Sequence, residues 1–272
     1  MIHLHQVYYD EVSKGLLDPA LTALDNSTSS RPDWFEYWPM RLILMANSFA
    51  DEDYLGIFSP RFVEKTGLTG AMVRELVAKS DAEVIAFSPS FTQIALYQNS
   101  FFQGERHQPG LLDVSQQLFE AIDLPINLKN LWADQTRSIF SNYFVAKGRF
   151  WKTWFSYAER IFDICEKGNT PLAARLTAPT RHRGTQDKYQ MKVFIVERLV
   201  NALLETLNID ASSNFNFPYQ RDLYNAEMKR LGQNPLNFGG FLLLDALKGA
   251  FIKTKQPQYL TLFRHHLPGK RA

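Results

Sequence analysis

The chain opens on alternation: in Ile2-His3-Leu4-His5-Gln6-Val7-Tyr8-Tyr9 apolar and polar residues trade places, the period of a half-buried strand. A polar stretch follows from Asp10-Glu11 to Asn26-Ser27-Thr28-Ser29-Ser30-Arg31-Pro32, and its composition predicts a loop. Large apolar residues then recur at helical spacing from Trp34 to Met45. Leu55-Gly56-Ile57-Phe58-Ser59 is a short apolar run stopped by Pro60. Glu83-Val84-Ile85-Ala86-Phe87, closed by Ser88-Pro89-Ser90, is the clearest strand in the chain. Between these runs, residues 61–66 and 70–79 read as helices, the second with Met72, Val73, Leu76 and Val77 on one side. Strands alternating with helices through short connections predict an α/β fold with a largely parallel sheet. Ligands of such sheets bind beyond the carboxyl ends of the strands, which puts Tyr9-Asp10, Ser59-Pro60 and Ser88-Pro89 on one rim.

The rest of the chain reads as mostly helical. Residues 111–122 form one helix, and Asn142-Tyr143-Phe144-Val145-Ala146 looks like an inserted strand. Phe150 to Glu166 puts Trp151, Trp154, Phe155, Ala158, Ile161, Phe162 and Cys165 on one face, with Lys152, Glu159, Arg160 and Asp163 on the solvated side. A loop is expected from Gly168 to Gly184, carrying Arg175, Arg181, His182 and Arg183, as an active-site or surface segment. A helix follows from about Lys188 to Leu207, then two or three more after Asn214-Phe215-Asn216-Phe217-Pro218. From Met191 to Leu204 the pattern is apolar on nearly every side, so this helix is buried. Glu197 and Arg198 lie in its middle, and an unpaired buried charge costs several kcal/mol, so each needs a partner. Adjacent residues do not face each other on a helix. The two therefore either anchor neighbouring elements or line a polar cleft. No repeat or linker divides the chain, so a single domain is expected: residues 1–146 as the α/β part and 147–272 as the mainly helical part.

Composition narrows the class. The 272 residues are 45% hydrophobic and 21% charged, an ordinary globular balance. A net charge of +2 does not support nucleic-acid binding across a whole face. Cys165 is the single cysteine, which excludes an intrachain disulfide. It sits on an apolar face as a core residue rather than a nucleophile, and the reducing cytoplasm suits it. Met1-Ile2-His3-Leu4 lacks the basic start of a secretory signal, and no stretch is long and apolar enough to span a bilayer. The basic His265-His266-Leu267-Pro268-Gly269-Lys270-Arg271 offers peripheral contact with the inner membrane, though four cations anchor weakly and terminal tails commonly fray. Trp34, Trp38, Trp132, Trp151 and Trp154 suit stacking on sugars or bases as well as packing.

The densest candidate chemistry is Gln103-Gly104-Glu105-Arg106-His107-Gln108-Pro109-Gly110. Its glycines and proline argue against a regular element, leaving a carboxylate, a guanidinium and an imidazole on a loop. Their unperturbed pKa values run from acid to base, which serves acid–base work on a polar substrate. A solvated turn is the plainer alternative.

Three stretches together resemble a bacterial family of small glycosyltransferase-like proteins associated with surface-polysaccharide biosynthesis. They are Trp34-Phe35-Glu36-Tyr37-Trp38-Pro39-Met40-Arg41, the run from Gly56-Ile57-Phe58-Ser59-Pro60-Arg61 to Lys65-Thr66-Gly67, and Gln98-Asn99-Ser100-Phe101-Phe102 through Gly110. Asn142 to Ala146 with Phe150-Trp151, and Phe194 to Leu199, extend the match, which covers most of the chain to about Leu207. The resemblance implies a GT-A-like, Rossmann-type fold: a mostly parallel central sheet with helices on both faces and a helical C-terminal part. It also implies sugar transfer from a nucleotide sugar to a glycan or glycolipid acceptor.

One departure changes the expected chemistry. GT-A enzymes commonly follow a central strand with Asp-x-Asp, which holds a metal on the donor diphosphate, but Val84 to Phe87 ends in Ser88-Pro89-Ser90. Asp51-Glu52-Asp53 precedes a strand and reads as a surface turn. No metal site is therefore assigned, and transfer is expected to be metal-independent. Leaving-group charge would be met by Lys65, Arg106, His107, Arg181 or Arg183. Glu105 is the expected base, with His107 second or as a phosphate ligand, and Glu197 joins them as a catalytic candidate. Donor-binding candidates are Tyr9, Asp10, Asn26, Lys65, Ser88, Asn99, Arg106 and Arg198. Trp34 and Trp38 could stack on a ring, although aromatics at helical spacing usually pack in a core. Two other classes stay open: a non-catalytic nucleotide- or glycan-binding assembly protein, and a glycoside hydrolase pairing Glu105 with Glu197.

Overall fold

The structure is a computed structural model that describes residues 1–181 and 188–268, without the side chains of Arg181 and Lys188. In chain order its elements are β1 (Ile2–Tyr8), α1 (Glu11–Lys14), β2 (Thr22–Asp25), a 3-10 turn at Pro32–Trp34, α2 (Tyr37–Ala46), β3 (Tyr54–Phe58), α3 (Phe62–Thr66) and α4 (Gly70–Ala78). Next come β4 (Val84–Ala86), α5 (Phe91–Leu96), α6 (Ser100–His107), α7 (Leu111–Ala121), β5 (Phe144–Lys147), α8 (Gly148–Lys167), α9 (Pro171–Thr177) and β6 (Pro179–Arg181). The chain continues through β7 (Lys188–Gln190), α10 (Met191–Thr206), β8 (Ser212–Ser213), α11 (Phe217–Arg230), α12 (Phe238–Thr254) and α13 (Gln258–His266).

The main sheet has the order β2-β1-β3-β5-β4-β8. β1 pairs in parallel with β2 and β3, and β4 with β8, while β5 runs against both neighbours. The fold is thus α/β and Rossmann-like, with a mixed, mostly parallel sheet. Alternation along the strands feeds two cores. Leu55, Ile57, Val84, Ala86, Phe144 and Ala146 face the layer built from α2, α7, α8 and α10. Tyr54, Phe58, Ile85, Phe87, Tyr143 and Val145 face α3 and α4. A third, smaller core joins α5 to α12 and α13 through Phe91, Ala95, Phe241, Leu244 and Phe263. Among the described residues no helix is long and apolar enough to cross a membrane.

Several expectations need correction. The loop read at 103–110 is largely helix, because Asn99 caps α6 by accepting the N–H groups of Phe101 and Phe102 at 2.9 and 3.0 Å. Gly104 is there for proximity rather than flexibility. A Cβ on it would meet Arg198 Nε at 2.9 Å and Leu111 Cδ2 at 3.0 Å. Arg198 has little room to give, since its guanidinium donates to Ser100 O, Phe194 O and Gln103 Oε1. Gly104→Ala is therefore expected to lower stability by about 1–3 kcal/mol in chemical denaturation despite its gain in helix propensity. An unchanged midpoint would show that Arg198 can yield.

The described part of the loop expected at 168–184 holds α9, started by Thr170 as cap with Pro171 in the first turn, and then β6. His182, Arg183 and Gly184 lie outside the described residues. The helix expected from Lys188 begins instead at Met191, after β7 has paired with β6. β2 lies inside the stretch read as a loop; three of its four residues are exposed, so no apolar pattern announces it. Cys165 is buried, and burial pushes its thiol up to about 12, leaving it inert.

Candidate functional site

The chain leaves β1 for β2 on one side and returns past it to β3 on the other. The carboxyl ends of β1 and β3 therefore form the topological switch point, where open α/β sheets hold their ligands. A cavity of about 320 Å³ opens there, lined by Tyr9 and Asp10 after β1, Ser59 and Arg61 after β3, Lys65 from α3, and Glu36.

Glu36 arrives through an unusual backbone. Phe35 before it has φ 46° and ψ −124°, a region that costs a non-glycine residue about 1–3 kcal/mol. Its ring packs on Tyr189 at 4.7 Å. The Glu36 carboxyl is pushed up to about 7, first by burial; the Lys65 charge opposes this and the Glu197 charge adds to it. Burial and the Glu36 charge likewise raise the phenols of Tyr9 and Tyr143, so both stay protonated donors at neutral pH. Tyr143 OH also shares a short hydrogen bond with Ser59 Oγ.

Behind the lining residues Ser59 and Lys65 lies the segment leading into β5. Ser141 and Asn142 both take left-handed backbone, φ 61° and 53°. The Ser141 N–H donates to Glu197 Oε1 at 3.0 Å, and its hydroxyl lies 3.4 Å from Lys65 Nζ. Lys65 stands 5.5 Å over the Tyr143 ring and makes no salt bridge among the described residues. Asn142 Oδ1 is buried with no hydrogen-bond partner among them, an acceptor that a ligand hydroxyl or a water would satisfy. Glu36, Lys65 and Tyr9 at the crevice thus feel one another's charge and that of Glu197 and Tyr143 behind it. Such a set can move a proton and meet developing negative charge.

The sequence candidates divide between places. Tyr9, Asp10 and Lys65 line the crevice, and the Glu197 charge reaches it. Asp10 also caps α1, and hydrogen bonds from Ser13 hold its carboxyl below the usual range. Asn26 is buried at the end of β2, its N–H on Tyr8 O. Ser88 is fully buried, accepting the Phe140 N–H and donating to Pro89 O, so no ligand reaches it in this arrangement. Asn99 is spent on capping α6 and on donating to Leu128 O and Leu131 O. Arg198 is buried in the α6–α10 contact already described.

Glu105 does not stand free as a base: its oxygens take the Gly110 and Leu112 N–H groups, each at 2.8 Å, at the start of α7. With Arg106 it lines a different groove, and His107 is half-buried in the last turn of α6. The expected convergence of Glu105 and Arg198 on the rim is not what the structure shows. Arg183 and the Arg181 side chain lie outside the described residues. Asp51, Glu52 and Asp53 are committed at the other end of β3, to Lys152, to Lys147 and Arg149, and to the Met1 amino group. Trp34 is a core residue, while Trp38 is half-buried near Arg31 and Arg41. The sequence reading missed Glu36 and Tyr143 as site residues, although a lone acid among Trp34, Phe35, Tyr37 and Trp38 was a legible sign of a desolvated carboxyl. No protein-family model, curated protein or solved structure matches this chain, so the chemistry of the crevice carries the functional reading.

Proposed function

We propose that the chain is a GT-A-like glycosyltransferase that binds a nucleotide sugar in the β1–β3 crevice and transfers the sugar to a glycan or glycolipid acceptor. The setting is cytoplasmic surface-polysaccharide biosynthesis, with peripheral contact with the inner membrane. The observation that carries this reading is Glu36, a desolvated carboxyl at the sheet's switch point that titrates near neutral pH beside a second carboxylate and a lysine. A base poised there takes the proton from the acceptor hydroxyl as its oxygen attacks the anomeric carbon. The departing nucleoside diphosphate gains negative charge, which Lys65 meets without a metal. Glu197 holds the Ser141 turn and sets the charge that Glu36 feels. Tyr9, protonated throughout, donates a hydrogen bond to a phosphate or sugar oxygen, and the buried Tyr143 hydroxyl positions Ser59 on the crevice wall.

Titration with uridine, guanosine, adenosine and thymidine diphosphates tests the donor site. At least one should bind, and Lys65→Met should weaken it by roughly tenfold or more, the worth of a charge-assisted contact. Binding by none of the four overturns the reading. Assaying sugar transfer alongside separates an enzyme from a nucleotide-binding assembly protein.

A further inference from the structure

A larger groove, of about 680 Å³, lies where α13 passes over the ends of α5 and α6. Tyr97, Phe102, Trp132 and Phe263 give it an aromatic wall, and Arg106 and Arg264 stand on it. Trp132 is held as a platform by edge contacts with Phe251 and Phe263, at 5.8 and 5.4 Å. The two arginines differ from the others. Every other arginine whose side chain is described donates to a carboxylate or a carbonyl, whether exposed like Arg230 or buried like Arg198. Arg106 and Arg264 have no hydrogen bond or ion pair among the described residues, and both are exposed in this one groove. The nearest acid in sequence, Glu105, cannot neutralise them fully. Its oxygens are turned to the first N–H groups of α7, where the helix dipole also favours the negative charge.

We propose that this groove, built by Arg106, Arg264 and the Trp132 platform, binds an acidic saccharide whose sugar faces stack on the aromatic rings and whose carboxylate or phosphate groups pair with the guanidiniums. Flat aromatic rings present apolar faces of the kind that sugar rings cover. Guanidinium forks match carboxylate and phosphate geometry. A volume inside the ordinary range for small-ligand sites fits a short oligosaccharide. Nucleic acid fits less well, because the whole chain carries a net charge of only +2 and such binding rests on many phosphate contacts. The proposal requires binding alone and does not depend on what the β1–β3 crevice does.

The test uses the full chain with tetragalacturonate as the carboxylate probe, glucose 1-phosphate as the phosphate probe, and methyl-esterified tetragalacturonate as the neutral control. Calorimetry should show binding of at least one acidic probe, weakened at least tenfold by esterification and by the Arg106→Gln/Arg264→Gln pair. Which acidic probe binds distinguishes a carboxylate from a phosphate ligand. Tryptophan emission should change on binding in wild type but not in Trp132→Phe, which keeps the groove's apolar wall. Because the arginines are exposed and have no partner among the described residues, their replacement should leave melting unchanged, so lost binding cannot be blamed on unfolding. The proposal is overturned if neither acidic probe binds at millimolar concentration, if the ester binds equally, if the arginine pair is indifferent, or if a single-stranded oligonucleotide binds more tightly than either sugar.

Discussion

Glu36→Gln should make the protein more stable at pH 8 while removing the sugar transfer proposed for its crevice. The Glu36 carboxyl has its ordinary value of 4.5 in the unfolded chain and about 7 in the fold. Below 4.5 it is protonated in both states and contributes nothing. Between 4.5 and about 7 the folded state holds the proton more tightly, so stability falls as pH rises, and above 7 the full cost of the desolvated charge is present. Glutamine keeps the shape and removes the charge. The variant should therefore match wild type at pH 4.5, pull ahead through pH 7 and stay ahead beyond it. The gain should be about 1–3 kcal/mol once the partial exposure of Glu36 is allowed for. The sugar transfer proposed for this crevice should fall by about 10² or more, and the rise of kcat/KM through pH 7 expected of wild type should be absent from the variant. A variant that is active and no more stable at pH 8 would remove Glu36 from the centre of the site. The combination of a stabler fold and a dead site marks a residue kept for chemistry.

Lys248→Met should be the most damaging single change to the fold. The ammonium of Lys248 is fully buried and donates to Ile94 O, to Tyr97 O at 3.0 Å and to Ala133 O at 2.7 Å, with Asp245 at 3.9 Å. It closes the carboxyl end of α5 from a helix more than 140 residues away in sequence. Methionine fills the space but leaves three carbonyls and a carboxylate without their cation. We expect a loss of about 3–5 kcal/mol, read as a melting temperature lower by roughly 10 °C. The binding proposed for the groove between α5 and α13 should weaken with it, because those helices form its walls. Unchanged melting would mean that another donor or water replaces the ammonium.

β1 was legible from its alternation of apolar and polar residues, and β3 and β4 because each is a dense apolar run closed by a breaker. β2 was not, since an exposed edge strand needs no apolar pattern. The segment around Gly104 misled for a related reason: its glycine answers to Arg198, 94 positions later, and local rules treat it as a breaker. α9, by contrast, carried readable signals in Thr170 and Pro171. At the crevice, Tyr9 and Asp10 were recoverable from a strand end, Lys65 as a cation available for leaving-group charge, and Glu197 from the rule that buried charges need partners. Glu105 was attractive because its neighbours are ionisable, but the first turn of a helix can use up a carboxylate, and sequence does not reveal which acid it takes. Tyr143 was hidden inside a segment read only as a strand.

The reversed direction of β5 explains why Tyr143 stands behind the crevice, on Ser59, at all. A strand running with its neighbours would deliver only its trailing residues to that rim; β5 delivers its leading ones, Ser141 to Tyr143. These residues are tethered on one side by the sheet register and on the other by the long connection from α7, which α10 grips through Asn201 on Ile139 and Glu197 on Ser141. A slip of that connection by a single position would rotate the phenol out of reach of Ser59 and carry the ammonium's neighbour with it. Insertions between Ile122 and Ser138, though remote in sequence from every strand tip, should thus be among the least tolerated by the chemistry.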